Sequence, residues 1–169
     1  DGNLWLTSSF VEKPLITLKS NGTWQSYTLQ PRINNYTNVV IDKNNTKWVA
    51  SSENGVYAFN EKYNNKTIIV ENSTTNVLGS LRVRALAIDN NNKLWIGTGA
   101  GLKVVQSVDE FLSNDEIIAK PIIILEDGLA QELLYEQFIN DIYVDGSNNK
   151  WIATNSAGVF KFSSDGQNQ

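Results

Sequence analysis

Residues 87–98 are AIDNNNKLWIGT, and two other stretches of the chain repeat this pattern without a gap. Residues 40–51 are VIDKNNTKWVAS, and residues 143–154 are YVDGSNNKWIAT. In each stretch a Trp follows an Asp by six residues, and Asn-rich residues lie between them. Asn favours tight turns because it tolerates left-handed backbone and bonds to its own main chain. Residues 1–8, DGNLWLTS, match the second half of the same unit, so the chain contains an internal repeat.

The spacing of the repeat predicts the fold. The Trp residues of the four units are 43, 47 and 56 residues apart, at positions 5, 48, 95 and 151. Each complete unit is followed by a Gly and then by a strand-like segment, beginning at Gly55, Gly101 and Gly158. Units of about 40–50 residues with four short antiparallel strands are typical of β-propeller blades. We therefore predict an all-β partial propeller of about three and a half four-stranded blades, a fragment of a larger, seven-bladed ring.

The predicted boundaries make residues 1–169 one partial propeller. Three strands of a first blade lie in residues 1–30, a second blade in 38–70, a third in 83–125, and three strands of a fourth in 139–163. The outer strands are expected at residues 23–27, 67–70 and 121–125, and a short helix within residues 107–118. The two ends of such an arc expose apolar blade faces, which predicts association through the open ends.

The repeated residues have a structural explanation. Side chains two positions apart share one face of a strand, so each Trp shares its face with a small residue: Ala50, Gly97 or Ala153. A large ring beside a small residue lets the next blade approach closely. We therefore expect Trp5, Trp48, Trp95 and Trp151 to be largely buried in equivalent positions, on the second strand of consecutive blades.

Composition excludes several classes of function. The net charge is −4, with 14 basic and 18 acidic residues, and a nucleic-acid surface needs an excess of basic charge. No apolar run reaches the roughly 18–20 residues of a membrane helix. The chain has no Cys for disulfides or thiolate metal sites, and no His to act as a base or metal ligand. The Asp turns lack the Gly and Glu of a calcium loop. We therefore predict a non-enzymatic chain with no cofactor and no metal.

The repeat, Asp and then Trp followed by Gly-Thr or a similar pair, resembles the two-component-regulator propeller repeat. Residues 4–9 (LWLTSS), 21–24 (NGTW) and 126–134 (EDGLAQELL), with residues 145–151 and 158–166, resemble the PorZ-type surface components of the Bacteroidetes type IX secretion system. This resemblance covers nearly the whole chain. It implies a surface scaffold of an attachment complex at the outer membrane or in the periplasm, with secretion-system proteins or surface polysaccharide as partners. The alternative is the periplasmic glycan-sensing domain of a hybrid two-component histidine kinase.

The candidate binding residues are Arg32, Tyr36, Arg82, Arg84 and Tyr135. These are the only three arginines, and each lies in or beside a connection that leads to the innermost strand of a blade. Arg offers a planar fork for carboxylate, phosphate or sugar hydroxyls. We predict that the arginines cluster on one face of the disc, with both tyrosines, as a site for an anionic glycan or a partner. The alternative is that Arg84 lines the channel and pairs with an acidic residue.

Two further features remain open. The repeat does not explain Trp24, which is either an aromatic platform for a sugar or an outer-strand residue that packs on a neighbouring blade. Glu132, Tyr135 and Glu136 lie in the connection before residue 139, which is either an exposed site or a solvated loop.

Overall fold

The protein, described by a computed structural model over residues 2–29, 35–68, 78–113, 117–164 and 166, is built almost entirely from antiparallel strands. The first sheet contains β1 (Leu4–Thr7), β2 (Leu15–Leu18) and β3 (Trp24–Tyr27). The second contains β4 (Tyr36–Ile41), β5 (Lys47–Ser51), β6 (Gly55–Asn60) and β7 (Tyr63–Ile68). The third contains β8 (Val83–Ile88), β9 (Leu94–Thr98) and β10 (Gly101–Val105).

A one-turn helix and a hairpin lie between the third and last sheets. The helix is α1 (Glu110–Ser113), and the hairpin pairs β11 (Ile123–Glu126) with β12 (Leu129–Glu132). The last sheet contains β13 (Ile139–Val144), β14 (Lys150–Thr154) and β15 (Val159–Phe162). Every named sheet pairs its strands in chain order, as the blades of a propeller do. The all-β, partial-propeller prediction is confirmed.

Each repeated Asp closes a turn and holds its Trp. One carboxylate oxygen of Asp89 accepts the backbone N–H groups of Asn91 and Lys93, both at 2.9 Å. Its other oxygen accepts the indole N–H of Trp95 at 3.1 Å. Asp42 and Asp145 repeat the three bonds. The constant six-residue spacing therefore reflects one hydrogen-bonded unit, because a shorter or longer turn would separate the carboxylate from the indole.

The turns also join neighbouring sheets. The fourth residue of each Asp turn is an Asn in the left-handed region, with φ of 64°, 61° and 64° at Asn45, Asn92 and Asn148. The side-chain oxygen of Asn92 accepts the backbone N–H of Lys43 at 3.0 Å, and that of Asn148 accepts the N–H of Asn90 at 2.9 Å. Each of these two bonds runs from one sheet to the next.

The core consists of layers between successive sheets. Trp5 lies between the first and second sheets, Trp48 between the second and third, and Trp95 between the third and last. They are 7%, 0% and 1% exposed, whereas Trp151, on the final sheet, is 40% exposed. Trp151 keeps its bond to Asp145, but no sheet of the described chain covers its ring. Three of the four predicted Trp positions are thus buried and the fourth is half-exposed.

The third sheet differs from the sequence-based prediction at its outer edge. Residues 121–125 were expected to form an outer strand, but among the described residues β10 pairs on this side only through an isolated bridge between its Val104 and Lys120. Residues Ile123–Glu126 pair instead with Leu129–Glu132 across an Asp127–Gly128 turn, and both turn residues have positive φ. The expected short helix within residues 107–118 is present as α1, which covers four residues; residues 114–116 lie outside the described chain.

Candidate functional site

The innermost strands share an irregularity at one position. The pairing register shifts between Tyr36 and Asn38 in β4, between Val83 and Ala85 in β8, and between Ile139 and Asp141 in β13. The extra residues at these β-bulges are Thr37, Arg84 and Asn140. A bulge redirects a side chain away from the regular alternation of the strand. The second, third and last sheets therefore each have one extra residue near the start of their first strand, and all three of these residues are exposed.

Arg84 is the charged residue among the three. Its side chain is exposed, and its guanidinium carbon lies 5.1 Å from the centre of the Phe138 ring. This distance is within the range of a cation–π contact, which steers the guanidinium across the ring face. Thr37, at the same position of β4, instead donates its hydroxyl to the carbonyl of Val83 at 2.8 Å. The extra residue is therefore hydrogen-bonded to the neighbouring sheet at Thr37 of the second sheet, and it is exposed to solvent at Arg84 of the third sheet.

Arg82 lies two residues earlier and is also exposed. Its carbonyl accepts the backbone N–H of Gly99 at 2.8 Å, which fixes the start of β8 against the β9–β10 turn. A Cβ at Gly99 would lie 3.4 Å from the Cβ of Arg82 and 3.5 Å from the Phe138 ring. Because Gly99 has no side chain, both Arg82 and the Phe138 ring can lie close to the β9–β10 turn.

The β12–β13 connection carries Tyr135 across this turn. The backbone N–H of Glu136 bonds to the carbonyl of Ala100 at 3.3 Å. Gly101 has a φ of 125°, and a Cβ there would lie 2.9 Å from the carbonyl of Leu134 and 3.6 Å from the Cα of Tyr135. The Tyr135 side chain is 59% exposed. We call the surface formed by Arg82, Arg84, Tyr135 and Phe138 the arginine–aromatic surface.

The structure brings together part of the predicted site. Arg82, Arg84 and Tyr135 lie around the β9–β10 turn, as described above. Tyr36 is 7% exposed and belongs to the core layer with Trp5 and Val49, so it is no part of an open surface. Arg32 lies outside the described residues. Sequence reasoning missed Phe138, although an aromatic residue beside the start of an innermost strand could have suggested it.

Acidic groups also border this region. Glu136 is exposed, whereas Glu132 is held by Lys103, whose ammonium lies 2.7 Å from its carboxylate. Because Lys103 already pairs with Glu132, this carboxylate is less available to pair with Arg82 or Arg84.

Within the described ranges, no group of three or more His, Cys, Asp or Glu is placed to hold a metal ion. No helix in the same ranges is long and apolar enough to cross a membrane.

Comparisons with known proteins agree with the repeat. The model of the two component regulator propeller family matches residues 77–100, which contain β8, β9 and the Asp89 turn. The chain carries this propeller repeat. PorZ from Porphyromonas gingivalis, described as an essential bacterial surface component of the type IX secretion system, is similar over 97% of the chain with 28% identity and a TM-score of 0.81. No curated protein sequence matches.

Two other solved structures share the fold. The extracellular domain of a hybrid two component system from B. thetaiotaomicron is similar over 94% of the chain, with 16% identity and a TM-score of 0.55. An inactive virginiamycin B lyase from Staphylococcus aureus is similar over 96%, with 14% identity and a TM-score of 0.60. The chain spans 25% of the PorZ structure, 25% of the two component domain and 52% of the lyase.

Proposed function

We propose that this chain is part of a non-enzymatic, exported propeller that acts as a scaffold in a type IX secretion attachment complex at the cell surface. The similarity to PorZ supports this assignment, because it combines 28% identity with a TM-score of 0.81, whereas the lyase likeness, at 14% identity, concerns the fold alone. The partners would be other secretion-system proteins or surface polysaccharide. The position of the chain would be the outer membrane surface or the periplasm.

We further propose that the arginine–aromatic surface binds an anionic polysaccharide. The observation that carries this proposal is the bulge that turns Arg84 outward over the Phe138 ring, two residues from exposed Arg82. Two guanidinium groups can form paired bonds to carboxylate or phosphate groups, and the rings of Phe138 and Tyr135 offer apolar faces to sugar rings.

The test is an Arg82→Ala, Arg84→Ala double variant of the full-length protein, titrated with purified surface polysaccharide. Loss of charge-assisted bonds should weaken binding by about tenfold or more. Both arginines are exposed, so the melting temperature should stay nearly unchanged. A Lys62→Ala, Lys120→Ala variant removes the same charge from two other exposed positions and should bind normally. Equal binding by wild type and the arginine variant would show that the arginine–aromatic surface does not bind the polysaccharide.

The match to the two component regulator propeller family favours one second candidate, the glycan-sensing domain of a hybrid histidine kinase. Both candidates use the same surface for a glycan, so binding alone does not separate them. The domains of the full-length protein do: a membrane helix with kinase domains supports the sensor, and a secretion sorting domain supports the scaffold.

A further inference from the structure

The β11–β12 hairpin is an addition to the repeat. It lies in the connection between the third and last sheets and belongs to neither terminal face of the arc. At its base, Ile122 and Leu133 are buried in the core layer between these two sheets, and the N–H of Leu133 donates to the carbonyl of Ile122 at 2.8 Å. The ammonium of Lys103 on β10 lies 2.7 Å from the Glu132 carboxylate. The base of the hairpin is therefore fixed to the body of the protein.

Beyond its base the hairpin is exposed and apolar. Ile123, Leu125 and Leu129 are 49%, 79% and 67% exposed. The two turn residues, Asp127 and Gly128, have φ of 51° and 80°, as a tight two-residue hairpin turn requires. A two-stranded hairpin alone is only marginally stable in water, but here the buried base and the tight turn hold the strands in place. The hairpin therefore presents preformed strands to solvent.

One edge of β11 is open. Hydrogen-bonded and non-bonded residue pairs alternate along an antiparallel ladder. The bonded pair of Ile122 and Leu133 at the base therefore makes Ile124 the next bonded residue of β11. The backbone N–H and C=O groups of Ile123 and Leu125 consequently point away from β12. Among the described residues β11 pairs with no strand other than β12, so these groups remain available for a further strand.

The sequence around this edge restricts what can pair with it. Natural proteins protect exposed edges with Lys, Pro or β-bulges, whereas β11 is IILE and keeps a regular register with β12. Residues 121–149 contain six acidic residues and no Lys or Arg. This charge opposes pairing with the same edge of a second copy, and it favours an incoming strand that is basic.

We propose that the β11 edge binds an extended basic segment of a partner protein, which adds a third strand to the hairpin. The outward main-chain groups of Ile123 and Leu125 would bond to the backbone of this segment, as in other complexes formed by strand addition. The side chains of Ile123 and Leu125 share one face of the strand and would contact apolar residues of the segment. Its Lys or Arg residues would lie near the acidic stretch, where opposite charges attract.

This inference does not rest on polysaccharide binding by the arginine–aromatic surface. That surface uses the guanidinium groups of Arg82 and Arg84, whereas the β11 edge uses main-chain groups within an acidic segment. The Arg82→Ala, Arg84→Ala variant should therefore bind a basic strand normally. Failure of either proposal leaves the other standing.

The test uses the full-length protein and a fluorescent peptide of sequence KVKVKVK, with binding followed by anisotropy. Wild type should bind it, more weakly at high salt, and should bind the peptide EVEVEVE about tenfold less tightly or worse. Leu125→Pro should weaken binding of KVKVKVK by about tenfold or more, because it removes an outward N–H that the ladder to β12 does not use. Ala130→Pro is the matched control: Ala130 lies opposite Leu125, so its N–H points to the other edge of the hairpin, and binding should stay normal.

Hydrogen exchange of the full-length protein locates the bound peptide. The amides of Ile123 and Leu125 should exchange rapidly in the free protein and slowly once KVKVKVK is bound. Slow exchange before the peptide is added would show that another part of the protein already covers this edge, which would overturn the proposal. Absence of binding, equal binding of EVEVEVE, unchanged binding by Leu125→Pro, or equal loss in both proline variants would overturn it as well.

Discussion

Asp89 is bonded to three kinds of donor at once: backbone N–H groups, the indole of Trp95, and the ammonium of Lys150 at 3.0 Å. Lys150 comes from the next sheet, and its ammonium also lies 4.6 Å from the centre of the Trp95 ring. Lys47 repeats this contact at 4.1 Å from the Trp5 ring. At two of the three contacts between successive sheets, a buried cation of one sheet therefore lies over the Trp of the preceding sheet, whereas Leu94 occupies the equivalent position in the third sheet.

Asp89 should make stability depend on pH. Burial opposes its ionisation, but the bonds from Lys93, Trp95 and Lys150 outweigh burial and lower the pKa of Asp89. A lowered folded-state pKa gives stability that is present above the unfolded value of about 3.9 and is lost as pH falls through the folded value. Asp89→Asn should cost about 3 kcal/mol at pH 7, because it leaves Lys150 buried without its carboxylate.

Urea unfolding of wild type and Asp89→Asn at pH 7, 5 and 3 would measure this effect. The difference should be constant between pH 7 and 5 and smaller at pH 3, because the Asp89 carboxyl of the unfolded chain, with an ordinary pKa of about 3.9, takes up a proton there before the folded protein does. The exposed Asp141→Asn variant serves as the control, with little change expected at any of these values. A difference independent of pH would contradict the assigned ionisation.

Two tryptophans offer a matched pair of substitutions. Trp95 is 1% exposed in the core layer between two sheets, so Trp95→Ala should lower the free energy of unfolding by about 3–5 kcal/mol. Trp24 is 63% exposed, so Trp24→Ala should cost less than about 1 kcal/mol. Chemical denaturation of both variants would check the comparison, and equal costs would place the two rings in similar environments.

At the scale of elements, the small residue two positions after each Trp determines the distance between two neighbouring sheets. A Cβ at Gly97 on β9 would lie 2.5 Å from the Cγ2 of Ile139 on β13, and such a contact requires movement. Gly97→Ala should therefore destabilise the protein by about 1–3 kcal/mol. In a double-mutant cycle, adding Ile139→Ala should cost less in the Gly97→Ala background than alone. Gly146→Ala, where a Cβ meets nothing within 4 Å, is the control, and additive costs would contradict the predicted clash.

The elements that sequence predicted well are those with a local signal. The Asp-to-Trp spacing determines the turn between the first two strands of each complete blade, and β4–β5, β8–β9 and β13–β14 follow it. The outer strand of the third blade was predicted from apolar character alone, and residues 123–126 formed a hairpin instead. The Asp127–Gly128 pair is a strong two-residue turn signal and could have indicated this hairpin.

The candidate site was less predictable for a physical reason. The position of the arginines in the sequence suggested a site. The outward orientation of Arg84, however, depends on a β-bulge that no residue type in β8 indicates. The burial of Tyr36 depends on contacts with Trp5 and Val49, which come from two different sheets. Long-range packing of this kind is not encoded in the spacing of a single repeat.

At the scale of the whole molecule, the last sheet differs from the others in what covers it. Tyr143, Trp151 and Val159 share the face that the repeat turns toward a following sheet, and they are 65%, 40% and 66% exposed. In the third sheet the equivalent Ala87 and Trp95 are 7% and 1% exposed, because the last sheet covers them. The opposite end of the arc exposes Leu4 and Trp24. Over the residues that the structure describes, both terminal sheet faces are therefore apolar and open.

Open apolar faces of this kind favour association, so the 169-residue chain on its own should form dimers or larger species through its terminal sheets. Each copy contributes four sheets of the repeat, so a pair packed through both terminal faces would bring eight sheets into one closed ring, within the roughly four to eight blades of propellers. Light scattering coupled to size exclusion would measure the mass. Tyr143→Lys with Val159→Glu should shift the chain toward monomer, because unpaired charges would then be buried in the contact. Lys62→Glu with Lys120→Glu, which also introduces charge at exposed positions, should leave the mass unchanged because neither lysine lies on a terminal face. A stable, soluble monomer of the unsubstituted chain would contradict closure by a second copy.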